Sequence, residues 1–201
     1  MGKIVYIMGK SASGKDSVFE RIRERFPDAR VLVPYTTRPL REGEENGREY
    51  VFTTEEAFLK LREAGSVIES RVYDTCYGPW RYFTVADGIE PSRFTYLSIG
   101  TPASFLRLKE RFGKDRMLPV MIELDDGERV QRALDREKKQ DEPKYAELCR
   151  RFLSDEQDFS EERLAEAGIG KDARFCNDEL DACAEAVCAY IGRNLQKAGD
   201  S

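Results

Sequence analysis

Residues 9–16 read Gly-Lys-Ser-Ala-Ser-Gly-Lys-Asp, and the segments on either side leave this stretch few folds to belong to. Ahead of it, Lys3–Met8 is a short apolar run, K-I-V-Y-I-M, of the kind needed by a strand buried on both faces of a parallel sheet. Behind it, Val18, Ile22 and Phe26 recur at helical spacing until Pro27 closes the segment. A strand, a glycine-rich turn and a helix, in that order, open an α/β nucleotide fold. The glycines let the backbone curl until successive N–H groups face one anion. The following helix adds its unpaired N–H groups and its dipole, and Lys15 adds an ammonium group. The last position departs from G-x-x-x-x-G-K-[ST]: Asp16 stands where a hydroxyl usually meets Mg²⁺. A carboxylate is also a hard oxygen ligand for Mg²⁺, and Ser17 offers a hydroxyl one residue later. The loop therefore predicts ATP and Mg²⁺ as cofactors. ATP is expected on Gly9, Ser11, Ala12, Ser13, Gly14, Lys15, Asp16 and Ser17, and the metal on Asp16.

The rest of the chain extends this pattern. Val31–Val33, Phe94–Ile99, Leu118–Leu124 and Ala173–Cys176 read as further core strands. Helices are expected at 102–112, from Asp126 into the 130s, over 142–159 and over 178–195. The fold class is α/β, a P-loop NTPase with three layers around a parallel core sheet. Residues 34–91 interrupt the core with polar, glycine-containing loops and short strands at 50–52, 67–69 and 82–85, a small inserted acceptor-binding lobe. Residues 125–162 are dense in charge and form a candidate helical lid. The core is then 1–33, 92–124 and 163–201, in one domain.

Composition excludes several chemistries. The 201 residues contain no His, so no Ser-His-Asp triad, Cys-His pair or imidazole base exists, and a zinc site is not expected. The five cysteines form no C-x-x-C pair, and with no signal-like start they read as reduced thiols of a cytoplasmic protein. A net charge of -5 argues against non-specific nucleic-acid binding, and no stretch is apolar enough to span a membrane. Local Arg and Lys clusters still permit an anionic small substrate.

One long signature narrows the reading. Thr36-Thr37-Arg38-Pro39-Leu40-Arg41-Glu42-Gly43-Glu44, followed by Gly47 and Tyr50-Val51-Phe52, resembles the T-T-R-x-x-R-x-G-E-x-x-G-x-x-Y-x-F element of guanylate kinases. The resemblance implies that Arg38, Arg41 and Tyr50 grip the acceptor's phosphate, as guanidinium forks can. Val67-Ile68-Glu69 is similar to the family's element whose Glu accepts from guanine N1 and its amine. Tyr77-Gly78 is similar to the Y-G whose Tyr meets the acceptor phosphate. Arg132, Arg136 and Arg151 look like the lid arginines that neutralise the transferring phosphoryl group, in catalysis with Lys15 and Arg38. Asn177-Asp178-Glu179-Leu180 resembles the N-x-x-L element beside the adenine, placing Asn177 in the ATP site.

The pattern fails in the guanine site. Pro34 and Pro79 stand where hydroxyl donors to the base are usual, and Ser98-Ile99-Gly100 stands where a D-x-D supplies a carboxylate. Such losses weaken discrimination among bases. Phosphorylation of GMP to GDP is the leading expectation. A kinase for another phosphorylated acceptor, such as ribose 1,5-bisphosphate, whose enzymes share the Gly-Lys-Asp-Ser run, is the alternative. A non-catalytic binding module is a third reading, against which the intact loop speaks.

Overall fold

The computed structural model describes residues 2–41 and 43–197. Met1, Glu42 and 198–201, which fall within the expected core and acceptor arm, lie outside the described residues. In chain order the elements are β1 (Ile4–Met8), α1 (Lys15–Arg25), β2 (Arg30–Val31), β3 (Tyr35–Thr36), β4 (Val51–Phe52) and α2 (Glu55–Glu63). They continue with β5 (Val67–Thr75), β6 (Gly78–Val85), β7 (Tyr96–Gly100), α3 (Pro102–Phe112) and β8 (Met117–Glu123). The chain ends with α4 (Asp126–Glu137), α5 (Tyr145–Asp158), α6 (Glu161–Ala167), β9 (Arg174–Cys176) and α7 (Leu180–Lys197).

The core sheet runs β2-β7-β1-β8-β9, all parallel. The apolar run at the start becomes its central strand, with no residue of Ile4–Met8 more than 2% exposed. Parallel strands need crossovers, and right-handed crossovers put successive helices on opposite faces when the strand order reverses. Accordingly α1 packs on α7, and α3 on α6. The order reverses beside β1, the place where open α/β sheets bind ligands at their strand C-termini. Four such ends meet there: Met8 leading into the glycine-rich loop, Gly100, Glu123 and Cys176.

A second sheet, β4-β3-β6-β5, holds its own small core of Phe58, Phe83 and Val85. Its β5–β6 hairpin is much longer than the expected 67–69 and 82–85 strands. Ser70–Thr75 alternates exposed and half-buried positions on an antiparallel pair, so it carries too little apolar signal to read as strand. Residues 35–36, expected as loop, pair with β6. The expected helix over 142–159 runs only from Tyr145, and a separate α6 follows, with Ser160 accepting the Arg163 N–H as its cap.

Candidate active site

The loop between β1 and α1 has the curl that the sequence required. Ala12 takes φ 62° and Gly14 φ 82°, the former being the one non-glycine residue with positive φ among the described residues. A side chain at Gly9 would meet the Ile122 carbonyl at 2.8 Å, and one at Gly14 would run into the Asn177 amide. The Ser13 hydroxyl is buried without a partner. A turn that excludes side chains at two positions and strands a buried hydroxyl fits a ligand rich in oxygen acceptors. Lys15 lies 3.3 Å from Asp16, whose carboxylate is largely exposed at the mouth of the loop. Burial pulls the Lys15 ammonium down, but Asp16, Tyr50 and Asp155 outweigh it and hold it above its ordinary value. Lys15 therefore stays charged, and Tyr50, which immediately precedes β4, is within its electrostatic reach.

The loop is braced from both sides. Asn177, at the end of β9, donates to the Ser13 carbonyl at 2.7 Å. From the lid, Asp155 of α5 accepts the Ser11 N–H at 2.7 Å while Arg129 of α4 donates to the Ser11 carbonyl at 3.1 Å. Arg129 is only 1% exposed and also pairs with Asp155, Glu156 and Asp126. Lys10 reaches Glu156 at 2.6 Å. No local sequence signal marks Arg129 or Asp155, because their partner is a backbone peptide more than 100 positions away.

Across the cleft stand the acceptor-side residues. Arg38 is 3% exposed and makes a fork on Glu44 at 2.5 and 2.7 Å, with Tyr50 and Phe52 rings beneath it. Arg41 is exposed, with no carboxylate in ion-pair reach among the described residues. Although the residue is exposed, its guanidinium is desolvated where it faces Trp80 and the neighbouring arginines, and this, with the charges of Arg38 and Arg151, holds it below its usual range. Arg151 is lowered in the same way, by burial and then by Arg136. Its nearest carboxylate, Glu137, lies 3.9 Å off. Arg38, Arg41, Arg136 and Arg151 therefore form one cationic cluster between the second sheet and the lid. Arg132 approaches the loop itself, its Nη1 standing 3.7 Å from where a Gly14 side chain would begin.

Tyr77 stands at the turn of the β5–β6 hairpin, across the Trp80 ring that Arg41 faces at 6.0 Å. It is 54% exposed and stacked on Trp80, with Lys144 over its ring. Glu69 lies at the floor of the lobe, 7% exposed, taking the Thr84 hydroxyl at 2.8 Å and facing Arg71 at 3.2 Å. Tyr73, one turn of the pleat further on, donates to Asp158 of the lid at 2.7 Å and so ties hairpin to lid. Tyr82 joins the aromatic floor against Tyr50 and Tyr73. Arg71, Tyr73 and Tyr82 all sit on the hairpin whose length the sequence concealed.

The guanylate kinase family model matches residues 1–154. A guanylate kinase of Rhodococcus jostii is 30% identical over 209 residues, spanning 97% of this chain and 90% of the relative. The chain belongs to the guanylate kinase family. It is thereby a phosphotransferase of the nucleoside monophosphate kinase class. A Synechococcus guanylate kinase is 29% identical, covering 98% of this chain and 78% of its own. In fold, the chain resembles the crystal structure of a guanylate kinase from Anaplasma phagocytophilum. There the TM-score is 0.67 at 20% identity, over 96% of this chain and 86% of that one. This family member has no helix among its described residues long and apolar enough to cross a membrane.

Among the described residues, no group of three or more His, Cys, Asp or Glu side chains could hold a metal ion. The exposed Asp16 carboxylate beside Lys15 is a hard oxygen donor that could hold Mg²⁺ together with the phosphates of a nucleotide, an arrangement Mg²⁺ commonly adopts.

Proposed function

We propose that this family member transfers the γ-phosphoryl group of ATP to the phosphate of a nucleoside monophosphate, with GMP as the acceptor and GDP and ADP as products. A single arrangement carries the reading: a charged Lys15 on a phosphate-shaped loop within reach of Tyr50, and a cationic cluster of Arg41, Arg136 and Arg151 in which Arg41 has no ion-pair partner among the described residues and Arg151 has only Glu137, at 3.9 Å. One anion site faces another, which is what joining two phosphates requires.

In this account the loop amides and Lys15 hold the β- and γ-phosphates, and Arg41 and Tyr50 hold the acceptor phosphate. Arg38 supports them, its fork on Glu44 fixing the arm in place. An acceptor phosphate oxygen attacks the γ-phosphorus in line as the bond to the β-bridging oxygen breaks, and ADP departs with that electron pair. An ionised phosphate is already nucleophilic, so positioning and charge neutralisation do the catalysis. Mg²⁺, held by Asp16 and the phosphates, supplies charge neutralisation when bound. The lid residues 125–162 bring Arg132, Arg136 and Arg151 over the transfer and exclude water.

The test is ADP release, measured by a coupled assay, with GMP, dGMP, other monophosphates and ribose 1,5-bisphosphate offered in turn. GMP-dependent release that Lys15→Ala lowers by about a thousandfold or more supports the reading. Release with the bisphosphate alone, or with no acceptor at all, overturns it.

A further inference from the structure

The acceptor cleft has an end opposite the cationic cluster, and three observations define its chemistry. Gly100 closes β7 there with no side chain. An added Cβ would meet Tyr6 Cζ at 2.7 Å and Ser104 Oγ at 2.8 Å. Tyr6 is buried, with its hydroxyl on Ser104 at 2.7 Å, so its phenol fills the space a carboxylate on that strand would need. Glu69 is enclosed: Oε1 takes the Thr84 hydroxyl, and Oε2 is a buried atom without a hydrogen-bond partner, 3.2 Å from Arg71 Nε. Arg71 lies in front of it. Its Nη1 donates to Thr101 and its Nε is buried against Glu69. Its Nη2 has no protein partner among the described residues and is not among the buried unpaired atoms. Arg71 shares a strand face with Glu69 and with Tyr73, which reaches Asp158 of the lid, so the guanidinium stands on the cleft side of the sheet. Tyr50 is within electrostatic reach of Arg71, so the two face one cleft.

A guanidinium offers only donors. Covering Glu69 with Arg71 therefore reverses what this end of the cleft can read. The N1–H and 2-amino edge of guanine presents donors to donors. The O6 and N7 edge presents two acceptors, and the outward N–H groups of Nη1 and Nη2 match that pair as a fork while Nη1 keeps its other hydrogen on Thr101. We propose that Arg71 determines acceptor specificity by reading the O6 and N7 edge of a 6-oxopurine monophosphate, with the 2-amino group left unread. The proposal rests on the nucleoside monophosphate reading above and adds the part of the base that is recognised. Glu69 is then a positioning residue that holds Arg71.

The test compares GMP, IMP, 7-deaza-GMP and AMP on the unaltered enzyme, then on Arg71→Met and Arg71→Lys with their folding checked by thermal unfolding. Support is GMP and IMP agreeing in kcat/KM within about threefold, with 7-deaza-GMP and AMP lower by about tenfold or more. Arg71→Met should lower GMP and IMP by one common factor of about tenfold or more and remove the 7-deaza-GMP penalty. Arg71→Lys should not rescue it, since a point charge cannot form the fork. IMP falling about tenfold or more below GMP while 7-deaza-GMP matches GMP would overturn the proposal and return the reading to Glu69. That outcome leaves GMP phosphorylation standing. Turnover of ribose 1,5-bisphosphate with no monophosphate used would remove both. The analogue series on the unaltered enzyme decides the question even where a variant fails to fold.

Discussion

Glu44 shows how one side chain can shape a neighbour's availability. Burial pushes its carboxyl up, but the Arg38 fork and the Arg41 N–H outweigh burial and hold it below the usual carboxylate range. A carboxyl with a depressed folded value contributes stability that is present above the unfolded value, 4.5, and fades as pH falls through the folded one. Glu44→Gln should therefore destabilise the protein at neutral pH and have no effect at pH values below the folded-state titration of Glu44. Thermal unfolding of both proteins across that range checks the sign, and a difference that persists unchanged into acid contradicts it. Arg38, Arg41 and Glu44 were all legible in the sequence because they sit within one short signature. What the signature could not tell was that Glu44 occupies Arg38, leaving Arg41 as the less committed cation. Arg71 was illegible for a related reason: nothing about an arginine in a polar strand says which carboxylate it will cover.

Among the elements, α4 and α5 have the most to do with the phosphate loop, since Arg129 and Asp155 hold the C=O and the N–H of one residue, Ser11. The lid is thus anchored at its base on the loop it closes over. Removing one member of a buried charge network leaves the others uncompensated, at about 3–5 kcal/mol. Arg129→Met should lower unfolding free energy by that order in urea titrations. It should also raise KM for ATP more than KM for the acceptor, because the freed Ser11 peptide belongs to the nucleotide side. Equal effects on both substrates would show that the brace is only structural. A smaller change tests the α3 end: Thr101 caps α3 and closes a capping box with Ser104, so Thr101→Ala should cost about 1 kcal/mol. The sequence revealed β1, the loop and α1 because their signals are local, and the boundaries moved by only a residue or two. It found only the outer ends of the hairpin, 67–69 and 82–85, and missed the stretch between them and the separate α6, where apolar residues are few and folding depends on partners far along the chain. The anchoring of the lid to the loop is long-range throughout, so no periodicity could have announced it.

At the scale of the whole molecule, an acidic chain of net charge -5 gathers Arg41 and Arg151, each lowered by a neighbouring arginine, with Arg38 and Arg136 in one cleft. Burial lowers Arg41 and Arg151, and like charge lowers them further. The folded state without ligand thus stores repulsion that bound phosphate relieves. Two bodies of structure meet across that cleft, and among the described contacts the Tyr73–Asp158 bond and Lys144 over Tyr77 hold hairpin to lid. An anion seated among the arginines ties the same parts together from inside. Inorganic phosphate should therefore raise the unfolding temperature saturably, reaching about 2.7 kcal/mol of stabilisation at a hundred times its dissociation constant. Sodium chloride at matched ionic strength should give a weaker, non-saturating rise, because screening acts on all exposed charges and prefers none. Arg41→Met should raise the unliganded unfolding temperature by removing repulsion, and should lose most of the phosphate response. Equal responses to phosphate and chloride in the unaltered protein would mean that the cluster is solvated charge rather than a site. The opposite signs expected of Arg41→Met, more stable alone and less responsive to phosphate, separate a binding site from a structural ion network, since losing a structural cation can only destabilise.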